Sequence, residues 1–240
     1  MKFNFKIQQY QTDAVDAVIN VFNGQGFHDK TNYIRDLGNK NQTDAQMTIN
    51  TPDEEFDVIN DIGYKNELVE LSDEQLLQNI HTLQSQNNIK LSPSLVKDLG
   101  RCSLDIEMET GTGKTYVYIK TMFELNKKYG WSKFIVVVPS IAIREGVKKS
   151  FEVTTDHFME YYGKKARFFI YNSSNLNQLD NFSSNSGINV MIINTQAFAT
   201  SLKEGGRSKE SRIIYSKRDE FASRRPIDVI KANRPILILD

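Results

Sequence analysis

A run of seven residues rich in glycine and threonine has the spacing of a phosphate-binding loop. Its members are Glu109, Thr110, Gly111, Thr112, Gly113, Lys114 and Thr115. Glycines let consecutive backbone N–H groups turn toward one anion, and a helix that follows points the positive end of its dipole at the same place. Lys114 then bridges the β- and γ-phosphates, and the Thr115 hydroxyl is placed to bind Mg²⁺. The run predicts nucleotide binding; a glycine-rich turn before an ordinary helix is the alternative.

The elements around this loop predict an α/β fold. Short apolar runs typical of strands buried on both faces occur at 104–108, 134–138, 167–171, 190–193 and 236–239. Segments with helical periodicity lie between them, at 115–128, 141–151 and 225–232. Alternating strands and helices predict a parallel sheet with helices on both faces. The loop follows the first predicted strand and opens a helix, which is the context that phosphate binding requires.

The first hundred residues divide into a helix and a polar segment. Val15, Val18, Ile19 and Phe22 recur at helical spacing, and residues 23–26 end that helix. The polar segment is rich in Asn, Gln, Asp and Ser, with apolar patches at 56–62 and 68–80 that predict short helices. We interpret residues 1–26 as part of the main domain, 27–100 as a polar insertion of uncertain order, and 101–240 as the nucleotide-binding domain.

Composition excludes several classes of protein. Lys and Arg total 30, as do Asp and Glu, so the bulk charge does not indicate nucleic acid or an acidic substrate. The single cysteine, Cys102, excludes an internal disulfide and a cysteine-based zinc site. No apolar run approaches the roughly 18 residues of a membrane span, and the N-terminus lacks the apolar core of a signal peptide. We expect a cytoplasmic protein that does not bind a membrane.

Met108 stands where the strict phosphate-loop pattern has glycine, and this variant resembles the superfamily-two helicases. Residues 135–147 and 190–198 resemble the motifs with which that family contacts the DNA backbone. The candidate DNA-binding residues are Pro139, Ser140, Arg144, Asn194, Thr195 and Gln196. Residues 235–240 resemble a Walker B strand, whose terminal Asp240 would hold Mg²⁺ through water. Ordinary turn residues and solvated charges are the alternative for each of these stretches.

The residues before the first helix resemble the glutamine motif of the same motors. Gln8, Gln9, Tyr10 and Gln11 stand there, and the motif recognises adenine through a side-chain amide that pairs with N6 and N7. Gln11 is the candidate residue. A polar helix start in a Gln-rich sequence is the alternative.

These motifs together resemble the Res subunit of type III restriction enzymes, over most of 104–240 and the opening helix. The resemblance implies a RecA-like P-loop NTPase domain, the first motor domain of a DNA-dependent ATPase and helicase-like translocase coupled to a site-specific endonuclease. It implies ATP and Mg²⁺ as cofactors, and double-stranded DNA and a modification (methyltransferase) subunit as partners. The family has a catalytic glutamate after the position of Asp240 and arginines in a second motor domain. We therefore expect a domain incomplete at its C-terminus, with an open sheet edge, no complete catalytic set and little hydrolysis.

Two other function classes stay open. A P-loop kinase would respond to a small-molecule acceptor and not to DNA. A catalytically inert interaction fragment would keep partner binding after Lys114→Ala. The basic residues between Arg207 and Arg225 indicate either a solvated surface or a local DNA contact.

Overall fold

The computed structural model describes residues 5–38, 62–98, 100–198 and 214–240. They belong to two compact units, each built from separate stretches of chain. The first unit is Met1–Asp29, Glu67–Trp131 and Val153–Lys164, and the second is Lys30–Asn66, Ser132–Glu152 and Lys165–Asp240. The basic residues at 207–213 and most of the apolar patch at 56–62 lie outside the described residues.

Helices and strands alternate along much of the chain. In chain order they are α1 Gln9–Val21, β1 Asn32–Ile34, β2 Ile62–Tyr64, α2 Asp73–Gln86, α3 Lys114–Tyr129, β3 Lys133–Val138, α4 Ile141–Tyr162, β4 Arg167–Ile170, α5 Asn177–Ser184, β5 Asn189–Asn194, α6 Thr195–Phe198, α7 Pro226–Ala232 and β6 Ile236–Leu239. A short 3₁₀ helix covers Asp219–Phe221.

The helices of the first unit have clear start and stop signals. Ser72 caps α2 by accepting from the Gln75 N–H, and the Gln75 side chain accepts from the Ser72 N–H, so two end groups of the helix are satisfied reciprocally. α3 ends at Gly130, whose φ of 80° is readily reached only by glycine. Lys127 and Lys128 lie in its last turn, where their positive charges interact favourably with the negative end of the helix dipole.

α1 is held from several sides within the first unit. Val15 and Ile19 are buried on its inner face. The Tyr129 hydroxyl donates to the Ile19 carbonyl at 2.8 Å. The Asn79 amide of α2 donates to the carbonyls of Val21 and Asn23, both at 2.9 Å, and so satisfies the C-terminal end of α1. The position of α1 is therefore set by neighbours on both α2 and α3.

The second unit contains a parallel sheet with the strand order β4-β5-β3-β6. β3 and β5 lie at the centre, paired so that Val136 stands opposite Ile192, and every residue of β3 is buried. Phe168 and Phe169 are neighbours in β4 and point to opposite faces. Phe168 stacks on Phe151 of α4, whereas Phe169 meets Phe182 of α5 edge to face. Helices thus cover both faces of the sheet, and the predicted α/β fold is confirmed.

Buried polar side chains join the hairpin of β1 and β2 to the amino ends of the sheet strands. The Asn66 oxygen accepts from the N–H groups of Ser132 and Lys133, at 2.7 and 2.9 Å, and its amide donates to the Lys133 carbonyl at 2.8 Å. This exchange imitates a strand pair at the start of β3. Asn66, in the segment without motifs, thereby satisfies backbone groups at the amino end of β3.

Asn233 and Lys133 extend this amino-end network. The Asn233 amide donates to the Tyr33 hydroxyl at 3.1 Å and to the Tyr64 carbonyl at 2.8 Å, and its oxygen accepts from Ser183 at 3.0 Å. The Lys133 ammonium donates to the carbonyls of Phe182 and Asn185. Both Asn233 and Lys133 are fully buried and cannot hydrogen-bond to solvent. These protein partners therefore satisfy their polar groups.

Most of the predicted elements are confirmed, and three differ from the prediction. The strands expected at 134–138, 167–171, 190–193 and 236–239 correspond to β3, β4, β5 and β6. The helix expected at 141–151 continues to Tyr162, because Phe158 and Tyr162 stack on Phe123 of α3. The patch at 68–80 gives the single helix α2, which begins at Asp73.

The predicted strand at 104–108 is wrong, since this stretch is irregular in the structure. Asp105, Ile106 and Glu107 are exposed there, and a strand buried on both faces would have to bury both carboxylates. Among the strands that the structure describes, β4 and β6 are the edges of the parallel sheet. Within the described residues β6 pairs with β3 alone, and Leu237 and Leu239 are 41% and 62% exposed.

Candidate nucleotide loop and strand-end surface

Two glycines with left-handed backbone shape the phosphate loop in the first unit. Gly111 has φ of 83° and Gly113 has φ of 87°, and Gly113 is the N-cap of α3. A Cβ added to Gly111 would meet no atom within 4 Å, so the limit there is the backbone conformation and not space. The two glycines therefore bend the chain sharply just before Lys114, as the sequence pattern predicts.

Thr112 closes the turn between these glycines. Its N–H and its hydroxyl both donate to the Glu109 carbonyl, at 3.4 and 2.6 Å. The Thr112 side chain is therefore engaged inside the loop, while Glu109 and Thr110 are exposed. What remains for a ligand is the backbone of the loop together with the side chains that open α3.

Lys114 and Thr115 stand in the first turn of α3, where helix geometry leaves N–H groups without partners inside the helix. Lys114 is exposed and Thr115 is half-buried. Within the part of the chain that the structure describes, neither side chain forms a hydrogen bond or ion pair. An ammonium, a hydroxyl and the positive end of a helix dipole form a donor set that fits a triphosphate with Mg²⁺.

α1 contacts the loop directly. The Gln11 side-chain nitrogen donates to the Thr112 carbonyl at 2.9 Å, and the Tyr10 hydroxyl donates to the same oxygen at 3.2 Å. A Cβ on Gly113 would lie 2.7 Å from the Gln11 nitrogen and would displace that amide, whereas the φ of 87° itself favours glycine. The structure thus places Gln11 beside the loop residues predicted with it. Tyr10 is an additional contact that neither its spacing nor its residue type indicated.

An aromatic cluster supports the first turn of α3. The Tyr116 hydroxyl lies 3.0 Å from Nε2 of His157, and Phe5 stacks on Tyr116 with ring centroids 6.0 Å apart. Burial raises the pKa of Tyr116 and lowers the pKa of His157. The lowered pKa favours the neutral form of His157, and the cluster packs against the first turn of α3 through Tyr116.

In the second unit, the first strand-end motif follows β3. Pro139 and Ser140 are exposed, and the Ser140 hydroxyl accepts from the Ile143 N–H at 3.3 Å, which caps α4. Arg144 pairs with the adjacent Glu145, Nη2 to Oε1 at 3.0 Å. The cap explains the serine structurally, and the Arg144 side chain, which is 24% exposed, is partly accessible beside the exposed Glu145.

The other strand-end residues lie at the same edge of the sheet. Asn194 is the last residue of β5, and Thr195 and Gln196 follow it with exposed side chains. Asp240 follows β6, and its N–H donates to the Val137 carbonyl at 3.0 Å. Because β3, β5 and β6 are parallel neighbours, their carboxyl ends share one edge. The structure therefore places Pro139, Ser140, Asn194, Thr195, Gln196 and Asp240 at the carboxyl ends of neighbouring strands, and Arg144 lies near the start of α4.

Two classes of site find no support in the described ranges. No group of three or more His, Cys, Asp or Glu side chains there is arranged to hold a metal ion. No helix in that part of the chain is long and apolar enough to cross a membrane. Mg²⁺ at the loop would depend on Thr115 and on the phosphates themselves, which suits an ion that keeps several waters.

Comparison with known proteins gives a consistent set of relatives. A family model described as "Type III restriction enzyme, res subunit" matches residues 4–230. The EcoP15I Res subunit of Escherichia coli is 30% identical over 199 residues, covering 73% of this chain and 19% of the relative. The EcoPI Res subunit of Escherichia phage P1 is 29% identical over 166 residues, covering 68% of this chain and 14% of the relative. The StyLTI Res subunit of Salmonella typhimurium is 44% identical over 85 residues, covering 33% and 8%. The chain spans about a fifth of these relatives' length or less.

Proposed function

Because this chain belongs to the family of type III restriction enzyme Res subunits, we propose that it is the ATP-binding portion of a DNA-dependent, helicase-like translocase. The parent enzyme would couple that motor to a site-specific endonuclease. Double-stranded DNA and a modification (methyltransferase) subunit are the proposed partners, in keeping with the restriction-modification names of the relatives. ATP and Mg²⁺ are the proposed cofactors.

The phosphate loop is the observation that carries this proposal. Two left-handed glycines turn the chain immediately before Lys114 and Thr115, at the start of a helix sixteen residues long. The first N–H groups of α3 donate hydrogen bonds to phosphate oxygens, and Lys114 neutralises the negative charge of the phosphates. The Thr115 hydroxyl supplies a hard oxygen ligand for Mg²⁺. Gln11 reads the adenine edge. Asp240 stays the candidate carboxylate for Mg²⁺ that the sequence predicts.

The strand-end surface is the proposed contact with DNA. Pro139, Ser140, Arg144, Asn194, Thr195 and Gln196 present a guanidinium, hydroxyls and amides at one edge of the sheet. Groups of this kind hydrogen-bond to phosphate oxygens and position a protein on the duplex without reading its sequence. Site recognition is accordingly assigned to the modification subunit.

Turnover by residues 1–240 alone is expected to be low. Phosphoryl transfer needs a positioned water and positive charge on the transition state as well as a phosphate cradle. The motifs found in this sequence supply the cradle and one carboxylate. We therefore propose nucleotide binding with little hydrolysis for this polypeptide.

The test is Mg²⁺-dependent binding of a fluorescent ATP analogue to the chain and to its Lys114→Ala variant, with hydrolysis followed with and without DNA. Binding to the parent chain, at least tenfold weaker in the variant, is expected from the loss of a charge-assisted phosphate contact. Lys127→Ala, an exposed lysine in the last turn of the same helix, is the matched control and should bind normally. Absence of binding in the folded parent chain contradicts the proposal, and DNA-stimulated hydrolysis contradicts the expectation of low turnover.

A further inference from the structure

One carbonyl of the phosphate loop accepts two side-chain donors from the same turn of α1. The Thr112 carbonyl oxygen accepts a hydrogen bond from the Gln11 side-chain nitrogen at 2.9 Å and another from the Tyr10 hydroxyl at 3.2 Å. The sequence motif accounts for an amide at this position. It assigns no role to the phenol, whose ring is half exposed and yet directed at the loop.

The peptide that this carbonyl belongs to has unusual freedom. Thr112 lies between Gly111 and Gly113, and glycine reaches either sign of φ at little cost. The peptide unit is planar and trans, so the Thr112 C=O and the Gly113 N–H point in opposite directions. Holding the oxygen toward α1 therefore directs the Gly113 N–H away from α1, where it can serve as a donor to phosphate. Without that hold, rotation between the two glycines would redirect the donor.

α1 is a fixed support for these two donors. The Lys120 ammonium of α3 donates to the Thr12 hydroxyl at 3.0 Å, and Lys120 is buried. Tyr129 and Asn79 hold the later turns of α1 through backbone carbonyls. The first turn of α1 is thus positioned by protein contacts, and the loop is oriented against it before any ligand binds.

The two donors differ in what they have left for a nucleotide. The Gln11 amide has a second N–H and an oxygen, which suffice to pair with the edge of a base. Tyr10 has a single O–H, and Thr112 takes it. Tyr10 can therefore act on the phosphates through the loop, but it has no remaining donor for a base.

We propose that Tyr10 is a positioning residue of the phosphate loop. The Tyr10 hydroxyl orients the Thr112–Gly113 peptide, and it thereby affects affinity for the triphosphate and not the choice of base. This inference rests on the proposed ATP binding. It gives a role to Tyr10, for which the resemblance to the glutamine motif assigns none.

The test compares Tyr10→Phe, Gln11→Ala and Gln9→Ala in the 240-residue chain. Affinities for ATP and for inorganic tripolyphosphate, both with Mg²⁺, are measured by displacement of a fluorescent ATP analogue. Tyr10→Phe should weaken both ligands by the same factor, about fivefold for one neutral hydrogen bond. Gln11→Ala should weaken ATP more than tripolyphosphate. Gln9→Ala is the control, because in the described structure the Gln9 amide donates to Asp13 of the same helix and to no residue of the loop.

The outcomes separate the possible roles of Tyr10. Unchanged affinities in Tyr10→Phe overturn the inference, and a lower melting temperature in that variant would then show a purely structural role. A loss confined to ATP, with tripolyphosphate unaffected, overturns it as well, because it would indicate contact with the base. Failure of the parent chain to bind either ligand overturns the proposed function and this inference together.

Discussion

The carboxyl and amino ends of the sheet strands in the second unit differ in the exposure of their polar side chains. At the carboxyl ends, Ser140, Thr195, Gln196 and Asp240 are exposed and lie in stretches that resemble motifs. At the amino ends, the side chains of Asn66, Lys133 and Asn233 lie outside any motif and form a buried hydrogen-bond network.

This contrast separates ligand binding from folding within one sheet. Most polar side chains at the carboxyl ends are accessible, as residues that meet a ligand must be, and the Asn194 oxygen is the exception among the candidates. Polar groups at the amino ends are satisfied by one another, so removing one leaves its partners buried and unpaired. Stability should therefore respond to changes at the amino ends, and ligand affinity to changes at the carboxyl ends.

The largest expected effect comes from matched asparagines at the two ends. Asn233→Ala removes three hydrogen bonds and leaves groups of Tyr33, Tyr64 and Ser183 without that partner, so we expect a loss of about 3 kcal/mol in unfolding free energy. The Asn194 oxygen is buried without a hydrogen bond in the described part of the chain, so Asn194→Ala should change stability by less than about 0.5 kcal/mol. Urea unfolding measures both. Equal losses would remove the distinction between the two ends.

A smaller effect should appear in the pH dependence of stability. Burial lowers the pKa of Lys133 from 10.5 to about 7. Between these values the unfolded chain carries a proton that the folded chain lacks, so this lysine makes unfolding free energy rise with pH and contributes no slope below about pH 7. Between pH 7.5 and 9, the unfolding free energy of the parent chain should rise by about 2 kcal/mol relative to that of Lys133→Met. The expected slope is about 1.4 kcal/mol per pH unit.

The control for this pH series is Lys231→Met, which removes an exposed lysine of α7 in the same unit. That variant should keep the pH slope of the parent chain. A slope that Lys133→Met leaves intact would mean that the buried lysine is not the group responsible.

The smallest effect on stability is expected at the carboxyl ends. Arg144 pairs only with its exposed neighbour Glu145 among the ion pairs described, so Arg144→Ala should alter unfolding free energy by less than about 0.5 kcal/mol. The same change should reduce the salt dependence of double-stranded DNA binding by about one unit of slope in a log–log plot. Arg167→Ala, at the amino end of β4, is the matched control and should leave that slope unchanged. A stability loss without a change in slope would make Arg144 structural.

Much of the fold follows from local sequence signals. The apolar runs at β3, β5 and β6 and the periodicity of α1 and α3 predicted those elements closely. The glycines at 111 and 113 likewise predicted a sharp turn before Lys114, because positive φ is a property of the residue itself. These features depend on residues a few positions apart, which is why the sequence alone indicated them.

Other features depend on which distant residues become neighbours. The apolar positions at 104–108 looked like a strand, yet a strand also needs a partner and a place for Asp105 and Glu107, and the sequence does not show either. The extension of α4 to Tyr162 depends on stacking against Phe123. The predicted polar insertion at 27–100 contains Asn66, whose hydrogen bonds to the backbone at the start of β3 no sequence pattern indicated.

The sequence by itself determined the four strands of the parallel sheet, the helices α1 and α3 and the chemical types present at the phosphate loop, because backbone preference and periodicity are encoded locally. Only the tertiary structure decided that Tyr10 joins Gln11 on the Thr112 carbonyl, and that Asn66 and Asn233 form the amino-end network. Hydrogen-bond partners separated by a hundred residues carry no shared spacing pattern. Their pairing arises when packing removes water and each buried donor must find the acceptor that the fold has placed beside it.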